Sequence, residues 1–322
     1  MAAPHLIGDI GGTNARFALA GDNGFFGFAG LRVADYPDIA AALRVYLATR
    51  PESAAIRGAT LAVAGPVEHN RCRLTNSPWE IGPDNVAGAV QGPVILLNDL
   101  EAVAWSLPLL EAGDCLLLHA GTADVERPLL VVAPGTGLGV AALVRAPGDR
   151  FAAVASEGGH VSLAPENAEE DALLRYLRSV HGHVSAERAL SGAGLEAIHD
   201  FLVKQAGETG PFRHAADITA AALAGSCPRC IAAVRLFCAL LGSFAGNMAL
   251  AFGARGGVYI GGGIMPRIET LLLQSAFAER FAAKGRNRGY LESIPIHLIC
   301  RPDAALLGLV AHSRRWPDRD RA

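Results

Sequence analysis

The chain has 322 residues, a formal net charge of −3 and a pI near 6.4. That length leaves ample core for one large or two medium domains, and the charge gives no electrostatic case for nucleic acid or an anionic membrane as partner. Only Lys204 and Lys284 are lysines among the 28 basic residues, and neither lies near a glycine-rich turn, which excludes a Walker-type GxxxxGK[ST] loop.

Six cysteines in a chain this long do not make a disulfide scaffold. The first five residues lead straight into a strand pattern without a basic or long apolar leader, so the expected setting is a reducing cytoplasm. Residues 6–19 form two apolar runs around Gly11-Gly12, which reads as strand–turn–strand. Adjacent glycines let backbone N–H groups approach an anion. Asp9, near the end of the first run, can hold Mg²⁺ directly or through water. An ordinary hairpin turn with a satisfied Asp fits the same stretch.

Residues 25–33 supply a third strand. Asp38 is placed to cap a helix running to Leu47, and residues 60–64 form a buried strand ended by Gly65-Pro66, so the chain begins βββαβ. In the polar loop 73–79, Asn76 and Trp79 suit a pocket for a polar ligand, and on the loop alone a packed surface loop suits them better. Residues 94–97 form a short strand, followed by Asn98-Asp99 and a helix over 100–107. Ligands of open α/β sheets bind outside the carboxyl ends of strands, where an Asn-Asp pair can meet a substrate hydroxyl. The helix N-terminus behind Asp99 is expected to keep it ionised. Simple helix capping is the alternative. A domain boundary is expected near Pro108.

A second strand–glycine turn–strand follows: residues 129–134, then Gly135-Thr136-Gly137-Leu138-Gly139, then 140–144. Two such hairpins suggest a duplicated architecture. Glu157 stands at the offset from Gly137 that a ribose-binding acid takes in a dinucleotide fold. However, a strand and not a helix follows the glycines, and position 140 is Val, so a dehydrogenase fingerprint fails. Glu157 and His160 bracket Gly158-Gly159 in a tight loop that suits a ligand with several hydroxyls, half a metal site, or a capped turn. Asn167 caps a helix over 167–180. Glu187, in the polar turn 181–188, faces either a cleft or water. His181 and His183 have no clustered partners in the sequence, so no metal is expected there.

Helices are expected over 194–204 and 217–224. Cys227-Pro228-Arg229-Cys230 is a lone CxxC without a second pair, and reads as two incidental cysteines at a helix start. Residues 236–254 carry no charge and are long enough to span a membrane, yet they hold Gly242, Ser243, Gly246, Asn247 and Gly253 and lead into a strand. A buried central helix is the expected structure. Residues 258–260 enter Gly261-Gly262-Gly263 and then a helix, a turn that suits close approach of adenine or plain helix entry. A last strand over 296–299, a last helix over 304–314 and a frayed tail complete the chain.

The motifs gain meaning from their order. Gly8-Asp9-Ile10-Gly11-Gly12-Thr13-Asn14, Leu74-Thr75-Asn76-Ser77-Pro78-Trp79, Asn98-Asp99-Leu100-Glu101-Ala102, Pro134-Gly135-Thr136-Gly137-Leu138-Gly139, Glu157-Gly158-Gly159-His160, Ser185-Ala186-Glu187-Arg188 and Gly261-Gly262-Gly263 span nearly the whole chain. In this order the chain resembles the bacterial glucokinases of the hexokinase/actin-like superfamily. The resemblance implies an actin-like (ribonuclease H-like) α/β ATPase fold with two domains around a cleft. The small domain would hold residues 1–110 plus about 300–322, and the large domain 111–299. It further implies transfer of the ATP γ-phosphoryl group to the 6-hydroxyl of glucose, with Mg²⁺. Asn76, Asn98, Asp99, Glu157, His160 and Glu187 would bind the sugar, and Asp99 would be the general base. Gly8, Asp9, Ile10, Gly11, Gly12, Thr13 and Asn14, with Gly135, Thr136 and Gly137, would meet the phosphates, and Gly261, Gly262 and Gly263 the adenosine. Asp9 would hold the metal, and the enzyme would be a cytoplasmic homodimer. The rival readings are a hexose kinase of other sugar preference and a non-catalytic sugar-sensing module.

Overall fold

The computed structural model describes residues 4–22, 24–74, 77–148, 150–209 and 214–314. The chain divides into two compact units, one comprising Met1–Glu111 with Arg301–Ala322 and the other Ala112–Cys300.

Unit 1 begins with the hairpin of β1 (His5–Ile10) and β2 (Asn14–Gly21), extended by β3 (Gly24–Arg32). Helix α1 (Ile39–Ala48) follows, and its N-cap Asp38 accepts a bond from the Ala41 N–H at 2.7 Å. This satisfies one of the donors a helix start leaves open. Strand β4 (Ala59–Val63) is buried along its whole length and runs parallel to β1. A small ribbon of β5 (Cys72–Arg73) and β6 (Glu80–Ile81) and the short α2 (Pro83–Val86) precede β7 (Val94–Asn98), which is parallel to β4 and passes directly into α3 (Asp99–Ser106). The sheet order is β3-β2-β1-β4-β7. Trp79 belongs to the core here: it is 1% exposed, and its Nε1–H donates to the Tyr36 carbonyl.

Unit 2 contains β8 (Cys115–His119), β9 (Leu129–Pro134), β10 (Leu138–Ala146) and β11 (Arg150–Ser156). Its helices α4 (Ala168–His181), α5 (Gly192–Gln205), α6 (Ala215–Leu223) and α7 (Pro228–Phe252) come next. Then follow β12 (Gly257–Ile260), α8 (Glu269–Leu273), α9 (Phe277–Ala282), α10 (Arg288–Glu292) and β13 (Ile296–Ile299). The sheet order is β11-β10-β9-β12-β13-β8. Helix α7 passes a length-and-hydropathy test for a membrane span, but 78% of its apolar window is buried inside the unit. Its Gly242 and Gly246 let α9 lie close: a Cβ on either would stand 2.2 or 2.3 Å from the carbonyl oxygen of Phe277 or Phe281. Arg280 of α9 forks onto Glu170 of α4, whose side chain is 1% exposed. The buried carboxylate is therefore met by a guanidinium whose geometry matches it.

The chain then returns to unit 1 with α11 (Ala304–Ser313), which packs on α3. The two helices touch at Gly308, where a Cβ would fall 1.7 Å from the Ala102 carbonyl oxygen.

Candidate active site

In unit 1 the parallel register sets Ile10, Val63 and Asn98 in one row across β1, β4 and β7. Asp9 stands one residue before this row and Asp99 one residue after it, so both acids gather at the carboxyl end of the parallel strands, where such sheets bind ligands. Asn98 is the N-cap of α3. Its Oδ1 accepts from the Leu100 N–H at 3.0 Å, and its Nδ2 donates to the Gly65 carbonyl at 3.3 Å. Asp99, the first helical residue, accepts from the same Leu100 N–H through Oδ1 at 2.8 Å. Both neighbours thus share the cap on the Leu100 N–H.

The carboxyl of Asp99 lies above the usual carboxylate range. Burial is the main cause. The Leu100 N–H pulls it back down, and the negative charge of Asp9 pushes it up. Burial thus opposes the lowering that the backbone N–H at the helix start provides.

Asp9 is paired with Arg16 at 2.8 Å, directly across the hairpin. Gly8 and Ile10 are strand residues: both edges of β1 are paired, and a Cβ on Gly8 would meet the Phe17 ring at 2.9 Å. They shape the strand, and the sheet ladder occupies the edges of β1 on which their backbone lies. The turn itself is closed by the Gly11 N–H on the Asn14 carbonyl at 2.9 Å. The amides of Gly12 and Thr13 donate to no group among the described residues. Asn76 lies outside the described residues.

In unit 2 the glycine turns and the acidic loops are brought together. The Gly135 N–H donates to the Gly137 carbonyl at 2.8 Å, closing the β9–β10 turn. The amides of Thr136 and Gly137 have no partner among the described residues. Glu187 lies on a 3₁₀ turn, Ala186–Arg188. Its Oε2 accepts from the Leu138 N–H at 2.9 Å, and a Cβ on Gly137 would collide with that oxygen at 2.6 Å. Glu187 therefore braces the turn. Its Oε1 stands 3.9 Å from His160 Nδ1, and His160 Nε2 stands 3.6 Å from Glu157 Oε2. The three side chains form a chain of acceptor, imidazole and acceptor, with Glu157 78% exposed. Gly159 holds this loop against the start of β10, since a Cβ there would lie 1.9 Å from the Leu138 carbonyl oxygen.

The third glycine turn follows β12. The Gly261 N–H is taken by the Val132 carbonyl at 2.9 Å. Gly262 sits at φ +84°, with a Cβ position 2.1 Å from the Pro134 carbonyl oxygen, and Gly263 has open space. The second and third glycine turns thus pack directly on one another. A separate cavity of about 620 Å³, lined by residues including Arg235, Gln274 and Arg280, contains none of the expected site residues. Among residues the sequence reading passed over, Arg16 had a signal, since the turn length sets it opposite Asp9. Gly65 and Gly159 were visible as turn glycines, but their contacts with Asn98 and the Leu138 carbonyl rest on tertiary packing and had no local signal.

Twice-repeated antiparallel hairpins feeding parallel strands, with strand-end acids and glycine turns, define an actin-like sugar-kinase fold. Solved structures share it. The glucokinase of an Antarctic psychrotroph is 38% identical, with a TM-score of 0.88 over 98% of this chain and 100% of that one. A ROK family glucokinase from Streptomyces griseus, solved with glucose and AMPPNP, is 20% identical, with a TM-score of 0.65 over 97% and 99% of the two chains, and shares the fold. The glucokinase family model matches residues 6–315. The glucokinase of Ralstonia nicotianae is 44% identical over 96% of this chain and 95% of its own, and that of Aromatoleum aromaticum is 43% identical over 95% and 93%. The chain belongs to the glucokinase family.

Proposed function

We propose that the protein transfers the γ-phosphoryl group of ATP to the 6-hydroxyl of glucose, giving glucose 6-phosphate and ADP, with Asp99 as general base. The observation that carries this reading is the Asp99 carboxyl: half-buried at the end of β7, with its pKa raised by burial, in a chain of the glucokinase family. A base works best when its pKa approaches the working pH. Oδ1 is held by the Leu100 N–H, which leaves the other oxygen to take the proton of the attacking hydroxyl. Phosphoryl transfer asks mainly for positioning and charge stabilisation.

In unit 1 the open amides of Gly12 and Thr13 suit phosphate oxygens. In unit 2 Thr136 and Gly137 suit phosphate, Gly262 and Gly263 a flat base, and Glu157, His160 and Glu187 the sugar hydroxyls. Asp9 offers one hard oxygen ligand beside the first turn, partly neutralised by Arg16. Mg²⁺ keeps several waters and takes few protein ligands, so this donor suits it. The ion would offset phosphate charge there. The same reading includes a cytoplasmic homodimer.

The test is a coupled assay of ADP release by the full chain with ATP, Mg²⁺ and a panel of hexoses. Glucose as the preferred acceptor supports the reading. Binding of glucose without ADP release would favour a sensing module instead, and preference for another hexose would revise the substrate.

A further inference from the structure

Cys227 and Cys230 stand at the start of α7, and the sequence offers them no second cysteine pair. The fold supplies another kind of partner. His199 of α5 has its ring within reach, and the nearest ligand atoms of His199, Cys227 and Cys230 all lie within 4.8 Å of one another. His199 is 5% exposed, Cys230 is fully buried, and Cys227 is half-buried with a path to solvent.

We propose that His199, Cys227 and Cys230 form a zinc site with a fourth position open to water. A tetrahedral zinc with ordinary Zn–S and Zn–N lengths sets its ligand atoms about 3.5–3.8 Å apart, so closure from the observed spacing needs about 1 Å of side-chain movement. The ligand set, two thiolates and a neutral imidazole, is one that zinc prefers over the harder divalent cations.

Local geometry holds the two cysteines together. Cys227 is the N-cap of α7, and its Sγ accepts from the Cys230 N–H at 3.3 Å. Arg229, between the two cysteines, is anchored by both oxygens of Glu208 at 2.7 and 3.0 Å. On binding, each thiol gives up one proton to solvent. Two thiolates then balance the charge of the ion, leaving a neutral site where one wall is buried. The consequence for the fold is a cross-link between α5 and α7, which pack side by side in unit 2.

The experiment titrates Co²⁺, as a spectroscopic stand-in for zinc, into the full chain after dialysis against a chelator. One equivalent should produce a near-ultraviolet thiolate-to-cobalt band and intense visible bands of tetrahedral cobalt, and one equivalent of Zn²⁺ should abolish both. Cys227→Ser keeps a good N-cap residue and should lose the thiolate band together with stoichiometric binding. His199→Gln should lower the affinity. Cys115→Ser, at a cysteine in a different part of the unit, should leave the spectrum unchanged. Absence of the bands at stoichiometric cobalt would overturn the site, as would their persistence in Cys227→Ser or the isolation of a Cys227–Cys230 disulfide that excludes metal under reducing preparation. None of these readouts depends on sugar phosphorylation.

Discussion

The two units carry the same strand plan and different chemistry. In each, an antiparallel run of three strands leads into parallel neighbours: β3-β2-β1-β4-β7 in unit 1 and β11-β10-β9-β12-β13 in unit 2, with β8 added at the edge. Each has a glycine turn between its first two strands of the hairpin, with two amides left for a ligand. The strand ends differ. Unit 1 places acids there, Asp9 on β1 and Asp99 after β7. In unit 2 the matching β9 ends in Ala133-Pro134, and the acids Glu157 and Glu187 arrive on connecting loops. The lesson is that the repeated scaffold fixes where open turn amides fall, whereas the placement of a half-buried carboxylate at a strand end is particular to unit 1.

The sharpest way to break this division is Asp99→Asn. The amide can still accept from the Leu100 N–H, so the fold should persist while kcat falls about 10³-fold, in the range for loss of a general base. Near-normal turnover in steady-state assays would refute the assignment. The same variant carries a stability prediction. A carboxyl whose pKa is raised by folding binds its proton more tightly in the native state, so its ionisation destabilises the fold. Stability from this group is therefore present at low pH and lost as pH rises through its titration. Asp99→Asn, which cannot ionise, should melt no lower than the parent at pH 7 and should flatten the pH dependence of Tm. The kcat of the parent should fall on acidification with an inflection above the normal Asp value, for the same reason.

Next in size is a contrast between glycines. Gly262→Ala puts a side chain at φ +84° against the Pro134 carbonyl. It should cost about 3 kcal/mol, at the upper end for a strained backbone position. It should also lower activity, because the second and third glycine turns rest on each other. At Gly11 a Cβ would meet only the Asn14 carbonyl oxygen, at an ordinary 3.6 Å. Gly11→Ala should leave the unfolding free energy within about 0.5 kcal/mol of the parent, as for a surface change, and raise KM for ATP. Equal Tm losses in both variants would erase the distinction between a turn kept for packing and one kept for access.

His160→Ala should raise KM for glucose about tenfold, equivalent to loss of one hydrogen bond of about 1.4 kcal/mol, with kcat less affected. An effect on ATP alone would contradict its placement. The smallest effect is expected at Asp38→Ala, which removes the α1 cap and should cost about 1 kcal/mol by denaturant titration without touching catalysis.

Much of this was legible from residues alone. Glycine pairs between apolar runs announced both hairpins, because the turn needs flexible backbone and the runs need burial. Asp99 was legible because a strand ended on it and a helix began. Other features resisted. Strands β8 and β11 at the sheet edges are half-exposed and carry mixed residues, so no alternation marks them. Trp79 read as either a pocket wall or a packed loop residue and is a core anchor, since only the fold reveals the Tyr36 carbonyl that takes its indole N–H. The upward push that burial gives the Asp99 carboxyl was not legible, because burial has no local signature. His199 could not be linked with Cys227 because helix–helix packing, not sequence distance, brings them together.

Gly308 gives the chain a temporal order. Helix α11 seats on α3 through this glycine, and α3 begins with Asp99, so the N-terminal sheet is synthesised first and completed last. A nascent polypeptide still held at the ribosome has every motif of unit 1 and lacks the helix that packs on α3. A product cut short before α11 is expected to melt below the full chain, and thermal denaturation of such a truncation checks it.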